Sequence, residues 1–221
     1  MTDRKLIPGK FVWFQLESKD TKKAQAFYGE VLGWNAVPFP VGGSTYEMIF
    51  TGATADTMIG SYAAPRSDRQ PSRWISSVSV EDVDAAAKAA TASGGKVVEA
   101  PFDIPGVTSD PTKALAFYEK VLAFSHRSMD MGPNGTYHIV SKGGVDRGGV
   151  TSYLPAGVQP HWLPYVFVED VDATVARARR IGGSIPFGPE DIPGVGRFGV
   201  LQDPTGAVLA VMKPSPTEKQ R

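Results

Sequence analysis

An α+β fold assembled from repeated βαβββ units is what the sequence predicts, and three observations lead there. The chain repeats itself: SKDTKKAQAFYGEVL at 18–32 returns as TSDPTKALAFYEKVL at 108–122, while VEDVDA at 80–85 and DIPGV at 103–107 return at 168–173 and 191–195. Self-similarity of this kind marks an internal duplication. Within each copy, strand-like runs with a period of two surround runs with the 3.6 period of an amphipathic helix. The copies then differ at their seam. The second runs past its DIPGV into GRFGVLQDPTGAVLAVMKP, whereas the first passes from Val107 directly into TSDPTKA. The tail of copy one and the opening strand of copy two are therefore absent. The copies span 10–107 and 108–213, with tails at 1–9 and 214–221.

Phe11 to Glu17, rich in aromatic and branched residues, reads as a strand. Asp20 is placed to cap the helix that follows, Ala24, Phe27 and Val31 recur at helical spacing, and Gly33 can end it. Three extended runs come next, Trp34–Pro40, Tyr46–Phe50 and Thr57–Tyr62, separated by polar or glycine-rich turns. WISSVSV (74–80) opens the second unit. It is followed by an alanine-rich helix capped by Asp82 and closed by Gly94-Gly95, and by KVVEAPF (96–102), where the unit stops short. In copy two the helix opens at Asp110-Pro111, a cap followed by proline at the first helical position. Strands are expected around Phe124–Met129, Tyr137–Ser141 and Val150–Leu154. The last unit is whole: LPYVFV (163–168), a helix from Asp170 to Gly182, then strands at Ser184–Phe187, Phe198–Leu201 and Val208–Met212, the final pair joined by a D-P-T-G turn. Four quarter-units result. The first and fourth are whole, the second lacks its last two strands and the third lacks its first.

Composition narrows the function classes. A chain of 221 residues, 42% of them apolar, can bury a sizeable core. Twenty-three basic residues balance 23 acidic ones, so no global field favours nucleic acid or an anionic membrane. The run Arg177, Arg179, Arg180 is expected on a solvated helix face. With no cysteine there is no disulfide, no thiolate metal site and no cysteine nucleophile. The opening MTDRKLIPGK has no apolar core of a signal peptide, and no stretch approaches the roughly 18 apolar residues of a spanning helix, so a cytoplasmic location is expected. G-x-G-x-x-G at 194–199 precedes a strand where a dinucleotide site needs a helix. No G-x-S-x-G elbow supports a hydrolase, and the sequon Asn134-Gly135-Thr136 reads as a turn.

The elements FY-x-x-VLG-W, V-x-DVDA, GG, DIPGVGRF and DPTGA, in this order and in βαβββ units, resemble the vicinal oxygen chelate superfamily over residues 10–213. That superfamily includes glyoxalase I, bleomycin-resistance proteins and extradiol dioxygenases. The resemblance implies paired units curled into half-barrels of curved mixed sheets. It also implies a divalent metal inside, held by His, Gln or Glu of first strands and by Glu near the end of last strands. Here the matching positions are Trp13, Ile75, Leu163 and Ala210, none of which can ligate a metal, and the third unit has no opening strand to supply one. No metal ligand and no cofactor are expected, with a divalent ion as the alternative. His126, His138 and His161 match no compact ligand spacing. Each is expected to be partly exposed or a satisfied core residue.

Strand parity selects a candidate surface. In the first strand Trp13, Gln15 and Glu17 share one face, and Val12, Phe14 and Leu16 share the other, which should pack on the helix. In the fourth unit the same parity groups Leu163, Tyr165 and Phe167, with Ala210 and Met212 opposite them. An aromatic wall with a few polar groups suits a small-molecule pocket, although aromatic strand faces also fill ordinary cores. Glu17 is the exception on its face, because a carboxylate among apolar groups is costly unless paired or functional. The favoured function is therefore binding of a small organic molecule in the cleft, as the resemblance to bleomycin-resistance proteins implies. The alternatives are a glyoxalase-like lyase or isomerase, or a dioxygenase, with Glu17 as general base, and a protein-interaction module. For the seam, the alternatives are pairing of the first and fourth units with 73–130 as an irregular connection, a homodimer that swaps strands, and a segment missing from this sequence.

Overall fold

A computed structural model of the chain describes residues 7–41, 44–98, 111–132, 135–151, 158, 160–193 and 195–215. Asp110, the DIPGV of copy one, the join between Val107 and Thr108, and Asn134 lie outside the described residues. The strands are β1 (Phe11–Glu17), β2 (Asn35–Val41), β3 (Ser44–Phe50), β4 (Met58–Ala63), β5 (Arg73–Val78), β6 (Ser125–Asp130), β7 (Thr136–Lys142) and β8 (Val145–Thr151), then β9 (Tyr165–Phe167), β10 (Ser184–Ile192), β11 (Gly196–Gln202) and β12 (Val208–Pro214). The helices are α1 (Thr21–Leu32), α2 (Val83–Ala92), α3 (Pro111–Leu122) and α4 (Val171–Arg180), with a short 3-10 turn at Ala55–Thr57. Asp20, Asp82 and Asp170 accept backbone N–H bonds from Lys23, Ala85 and Ala173, each at 2.9 Å, satisfying first-turn donors. Gly33 ends α1 in the left-handed conformation, at φ 70°. This is mixed α+β architecture, as expected. No helix among the described residues is long and apolar enough to cross a membrane.

Two compact units interleave the sequence copies. Unit two comprises Phe14–Ile75 and Leu163–Arg221, so the two whole quarters lie together. One sheet runs β2-β3-β4-β1-β5 and the other β10-β11-β12-β9. The pairs β1–β4 and β12–β9 are parallel, and β2–β3, β3–β4, β10–β11 and β11–β12 are antiparallel. Helices α1 and α4 pack together. Their buried stripes meet the strands in one core that joins Leu16, Phe27, Tyr28, Trp34 and Trp74 to Val171, Val175, Leu201, Leu209 and Val211. Inside it, Trp74 Nε1 donates to the Tyr28 hydroxyl at 3.1 Å.

Unit one comprises Met1–Trp13 and Ser76–Trp162, uniting the two truncated quarters. Helices α2 and α3 pack together, and β6-β7-β8 form an antiparallel sheet. Leu115, Tyr118, Leu122, Phe124 and Val140 are its core, with Phe117 and Trp162 against them. At its other margin the amide of Ser79 donates to the carbonyl of Lys10 at 2.8 Å.

Pairing of the first and fourth quarters is what the intrachain alternative expects. Within 73–130, however, the described residues are not an irregular connection: they form β5, α2, α3 and β6, and α2 packs on α3. Three further expectations change. Lys96–Val98, the described part of KVVEAPF, form no strand. Strand β8 begins at Val145 because Gly143 and Gly144, with φ 61° and 76°, close a two-residue hairpin that returns the chain at once. Val12 does not join Phe14 and Leu16 in the core but is 45% exposed.

The repeated FY and GG motifs explain one another. A Cβ added to Gly183, just after α4, would lie 2.7 Å from the Phe27 ring, and one on Gly95, after α2, would lie 2.8 Å from the Phe117 ring. Only hydrogen fits between helix and ring. Gly183→Ala should therefore cost about 1–3 kcal/mol through overpacking, read as a lower urea midpoint at unchanged m-value; a variant as stable as the parent would contradict the contact.

Burial, reinforced by nearby Asp203, holds the Tyr28 and Tyr62 hydroxyls well above the usual tyrosine range, and burial pushes Tyr118 up to about 12. Unfolded tyrosines ionise near pH 10, before these folded ones do. Their contribution to stability is complete below about pH 10 and is lost as pH rises toward 12. Tyrosinate absorbance should thus rise together with loss of near-ultraviolet dichroism above pH 10. Complete ionisation of all seven tyrosines by pH 11 with the dichroism intact would contradict this.

Candidate functional site

Each sheet of unit two turns one face to the helices. Phe14, Leu16, Val166, Val168, Leu209 and Val211 belong to the helix-packed core, so period two assigns their neighbours to the other face. On the first sheet, register aligns Val37, Met48, Ser61 and Gln15 in a row across four strands. Phe39 pairs with Tyr46, and Glu17 with Ala63, in the rows beyond. On the second sheet, Phe187, Val200, Ala210 and Tyr165 form one row, and Glu190, Phe198, Met212 and Phe167 the next. The expected residues Gln15, Glu17, Tyr165, Phe167, Ala210 and Met212 thus lie on helix-free faces. Trp13 shares the parity of Gln15 and is half-buried, as is Leu163 just before β9.

Exposure differs sharply along these rows. Ala210 is fully buried, Phe198 nearly so, while Tyr165 is 49% and Phe167 72% exposed. Phe187 and Phe198 stack with centroids 5.3 Å apart and planes 27° from parallel. The first sheet contributes Val37, Phe39 and Tyr46, all more than 40% exposed. Val37, Phe39, Tyr46, Met48, Phe187 and Phe198 are not among the expected cleft residues, which came from first and last strands alone. The period-two signal was present in 35–41 and 184–192 and could have found them.

Glu17 is 1% exposed. Its Oε2 accepts from Gln70 Nε2 and from Arg73 Nε at 3.2 Å, and Arg66 Nε lies 3.8 Å from Oε1. Two guanidiniums and an amide compensate the desolvation that burial imposes on a carboxylate. They also tie the segment 64–73 across the end of β1. Beside it, Ser72 Oγ donates to Ser18 Oγ at 3.1 Å. An open groove of about 400 Å³ follows, lined among others by Ser18, Lys19, Lys23, Arg69, Gln70 and Thr205. A general base needs an accessible lone pair, so Glu17 would first have to shed a partner. As it stands, the carboxylate anchors a loop.

The positions that the sequence resemblance matches to superfamily metal ligands, Trp13, Ile75, Leu163 and Ala210, hold indole, alkyl and methyl side chains. Glu17, which shares the parity of Trp13, is already occupied by Gln70, Arg66 and Arg73. These residues do not fit a divalent ion. Among the described residues no three His, Cys, Asp or Glu gather as a metal-binding set.

Comparison with known proteins agrees with the architecture. A model of the Glyoxalase/Bleomycin resistance protein/Dioxygenase superfamily matches twice, at residues 10–108 and 106–211. CFP32 of Mycobacterium tuberculosis, provisionally named a glyoxylase, is 31% identical over 248 positions, covering 93% of this chain and 95% of its own. The anthracycline biosynthesis protein DnrV of Streptomyces peucetius is 29% identical, covering 95% and 94%. The CFP32 alignment is longer than the 221-residue chain, so that relative carries residues with no counterpart here. Among solved structures, the Mn(II)-bound glyoxalase of Novosphingobium aromaticivorans superimposes with a TM-score of 0.58 at 16% identity, over 93% of this chain and 82% of that one. That likeness establishes the fold.

Gln70→Ala or Arg73→Ala, each stripping a partner from a buried charge, should destabilise the chain by about 1–3 kcal/mol. Glu17→Gln should cost less, about 1 kcal/mol, because both arginines are partly exposed and can rehydrate. Urea denaturation of the three variants checks the order, and a Gln70→Ala chain of unchanged midpoint would contradict it.

Proposed function

The chain belongs to the Glyoxalase/Bleomycin resistance protein/Dioxygenase superfamily, and from that premise we propose that it binds a small, flat organic molecule on the helix-free sheet faces of unit two, without a metal ion at the superfamily's usual positions. The observation that carries this reading is the aligned aromatic wall of Tyr165, Phe167, Phe187 and Phe198. Scattered exposed apolar residues are ordinary, but Tyr165 and Phe167, set in adjoining register rows beside the stacked Phe187–Phe198 pair and left 49% and 72% open to water, are not a finished core. Such a wall offers stacking and edge contacts to a planar ring system. The first sheet adds Phe39 and Tyr46 as apolar surface, and Gln15 and Ser61 as hydrogen-bonding groups that can orient a carbonyl or hydroxyl.

The relatives lend support of two kinds. DnrV is named for anthracycline biosynthesis, and anthracyclines are planar polycyclic molecules of the kind an aromatic wall accommodates. CFP32's provisional glyoxylase name supports the enzymatic alternative. Against that alternative stand the side chains at the ligand positions and the three partners already held by Glu17. In the binding reading Glu17 shapes the cleft floor by holding the 64–73 segment, and the aromatic rows supply the affinity.

Fluorescence titration and calorimetry with a soluble anthraquinone sulfonate, in EDTA, test the proposal. Saturable binding is expected, weakened about tenfold, or about 1.4 kcal/mol, by Phe167→Ala and again by Tyr165→Ala. No saturable binding across a panel of planar aromatics, or equal affinity in the double variant, would overturn the cleft assignment. Binding that vanished in EDTA and returned with added metal would overturn its metal-free part.

A further inference from the structure

We propose that His126 and His138, on the helix-facing side of the sheet in unit one, are the two ligands of a site for a late first-row divalent ion such as Zn²⁺, Ni²⁺ or Cu²⁺, with Glu119 as the residue that positions one of them. The site is independent of the cleft in unit two. It lies on the second and third strands of its quarter, away from the first-strand and last-strand positions where the superfamily resemblance puts a metal.

Register creates the juxtaposition. His126 pairs with Val140 and Ser128 with His138, so the two imidazoles are diagonal neighbours on the face that carries buried Val140. They lie at its exposed margin, next to the last turns of α3. The His126 ring lies edge-on to the His138 ring, with centroids 5.7 Å apart and planes at 80°. Two imidazoles on one ion, each with a metal–nitrogen bond of about 2.0–2.1 Å, place their ring centroids roughly 5–6 Å apart. The observed separation is already in that range.

The hydrogen bonds at the other ring nitrogens are those a ligating pair requires. His126 Nδ1 lies 2.5 Å from Glu119 Oε1. An ionised carboxylate only accepts, so Nδ1 carries the proton, and in the neutral ring Nε2 is left with its lone pair. His138 Nδ1 lies 2.9 Å from Ser128 Oγ, and a hydroxyl that accepts there leaves His138 Nε2 in the same state. A carboxylate or hydroxyl behind each imidazole fixes its tautomer and orientation for metal binding. Arg127 does not compete. It points to the opposite face, where its two terminal guanidinium nitrogens donate to Asp146 at 2.6 and 2.7 Å.

Imidazole nitrogens favour zinc, nickel and copper over magnesium or calcium. With two protein ligands, water completes the coordination sphere, so the site is open.

The test is calorimetric titration of the tag-free, EDTA-stripped and desalted chain with ZnCl₂ and separately NiCl₂, with ¹⁵N-edited spectra of the imidazole rings as a second readout. One ion per chain is expected, moving the resonances of His126 and His138 and leaving those of His161 unchanged. His126→Ala and His138→Ala should each abolish saturable binding, while Glu119→Gln should weaken it about 10–100-fold without abolishing it. Far-ultraviolet dichroism checks that each variant folds. No saturable binding, binding that survives both histidine substitutions, or binding lost in His161→Ala would overturn the proposal.

Discussion

A buried tyrosine hydroxyl held by an indole N–H is the interaction around which each unit is organised. In unit two, Trp74 donates to Tyr28, and the two rings meet nearly edge-on with centroids 5.4 Å apart. In unit one, Trp162 bonds to Tyr118 in the same manner, with centroids 5.1 Å apart. A buried phenol costs free energy unless its hydroxyl is paired, so each tyrosine dictates where a tryptophan must come to rest. Each pairing ties the FY helix of one quarter to the segment that opens a following quarter. The phenylalanine beside each tyrosine then closes on a glycine after the partner helix, Gly183 or Gly95. Ring against bare backbone allows α1 to approach α4, and α2 to approach α3, as closely as they do.

Once helices cover one face of every sheet, the chemistry of the opposite faces is what remains for function. Strand alternation passes this division from the core to the site: the residues next to Leu16, Val166, Leu209 and Val211 face away from the helices. Their exposure differs for a physical reason. Glu17 is sealed because three partners neutralise and solvate it, whereas Phe167 has no such cover within its row. The first sheet is thus polar toward β1, and the second is aromatic toward β9.

Much of this was legible in the sequence. Asp20, Asp82 and Asp170 were readable as caps because an N-cap depends on a backbone donor three residues away. The faces of Gln15, Tyr165 and Met212 were readable because parity is a property of one strand. The start of β8 was missed because Gly143-Gly144, whose positive φ values make a tight hairpin, was not weighed as a turn. Val12 was misplaced because parity cannot say where a helix stops covering a strand. The histidines were judged by spacing alone. His126 and His138 meet through antiparallel register across a hairpin, which no ligand motif along the chain encodes.

By itself the sequence determined the duplication, the order of elements in each quarter and which residues share a face, since all three rest on repeats and periods within reach of a few neighbouring residues. Tertiary structure decided that the first quarter packs with the fourth and the second with the third. It also decided that Glu17 is satisfied by Arg66, Gln70 and Arg73, and that Glu119 stands behind His126. Those outcomes depend on burying particular shapes and charges contributed by distant parts of the chain, and such complementarity exists only once the chain has folded.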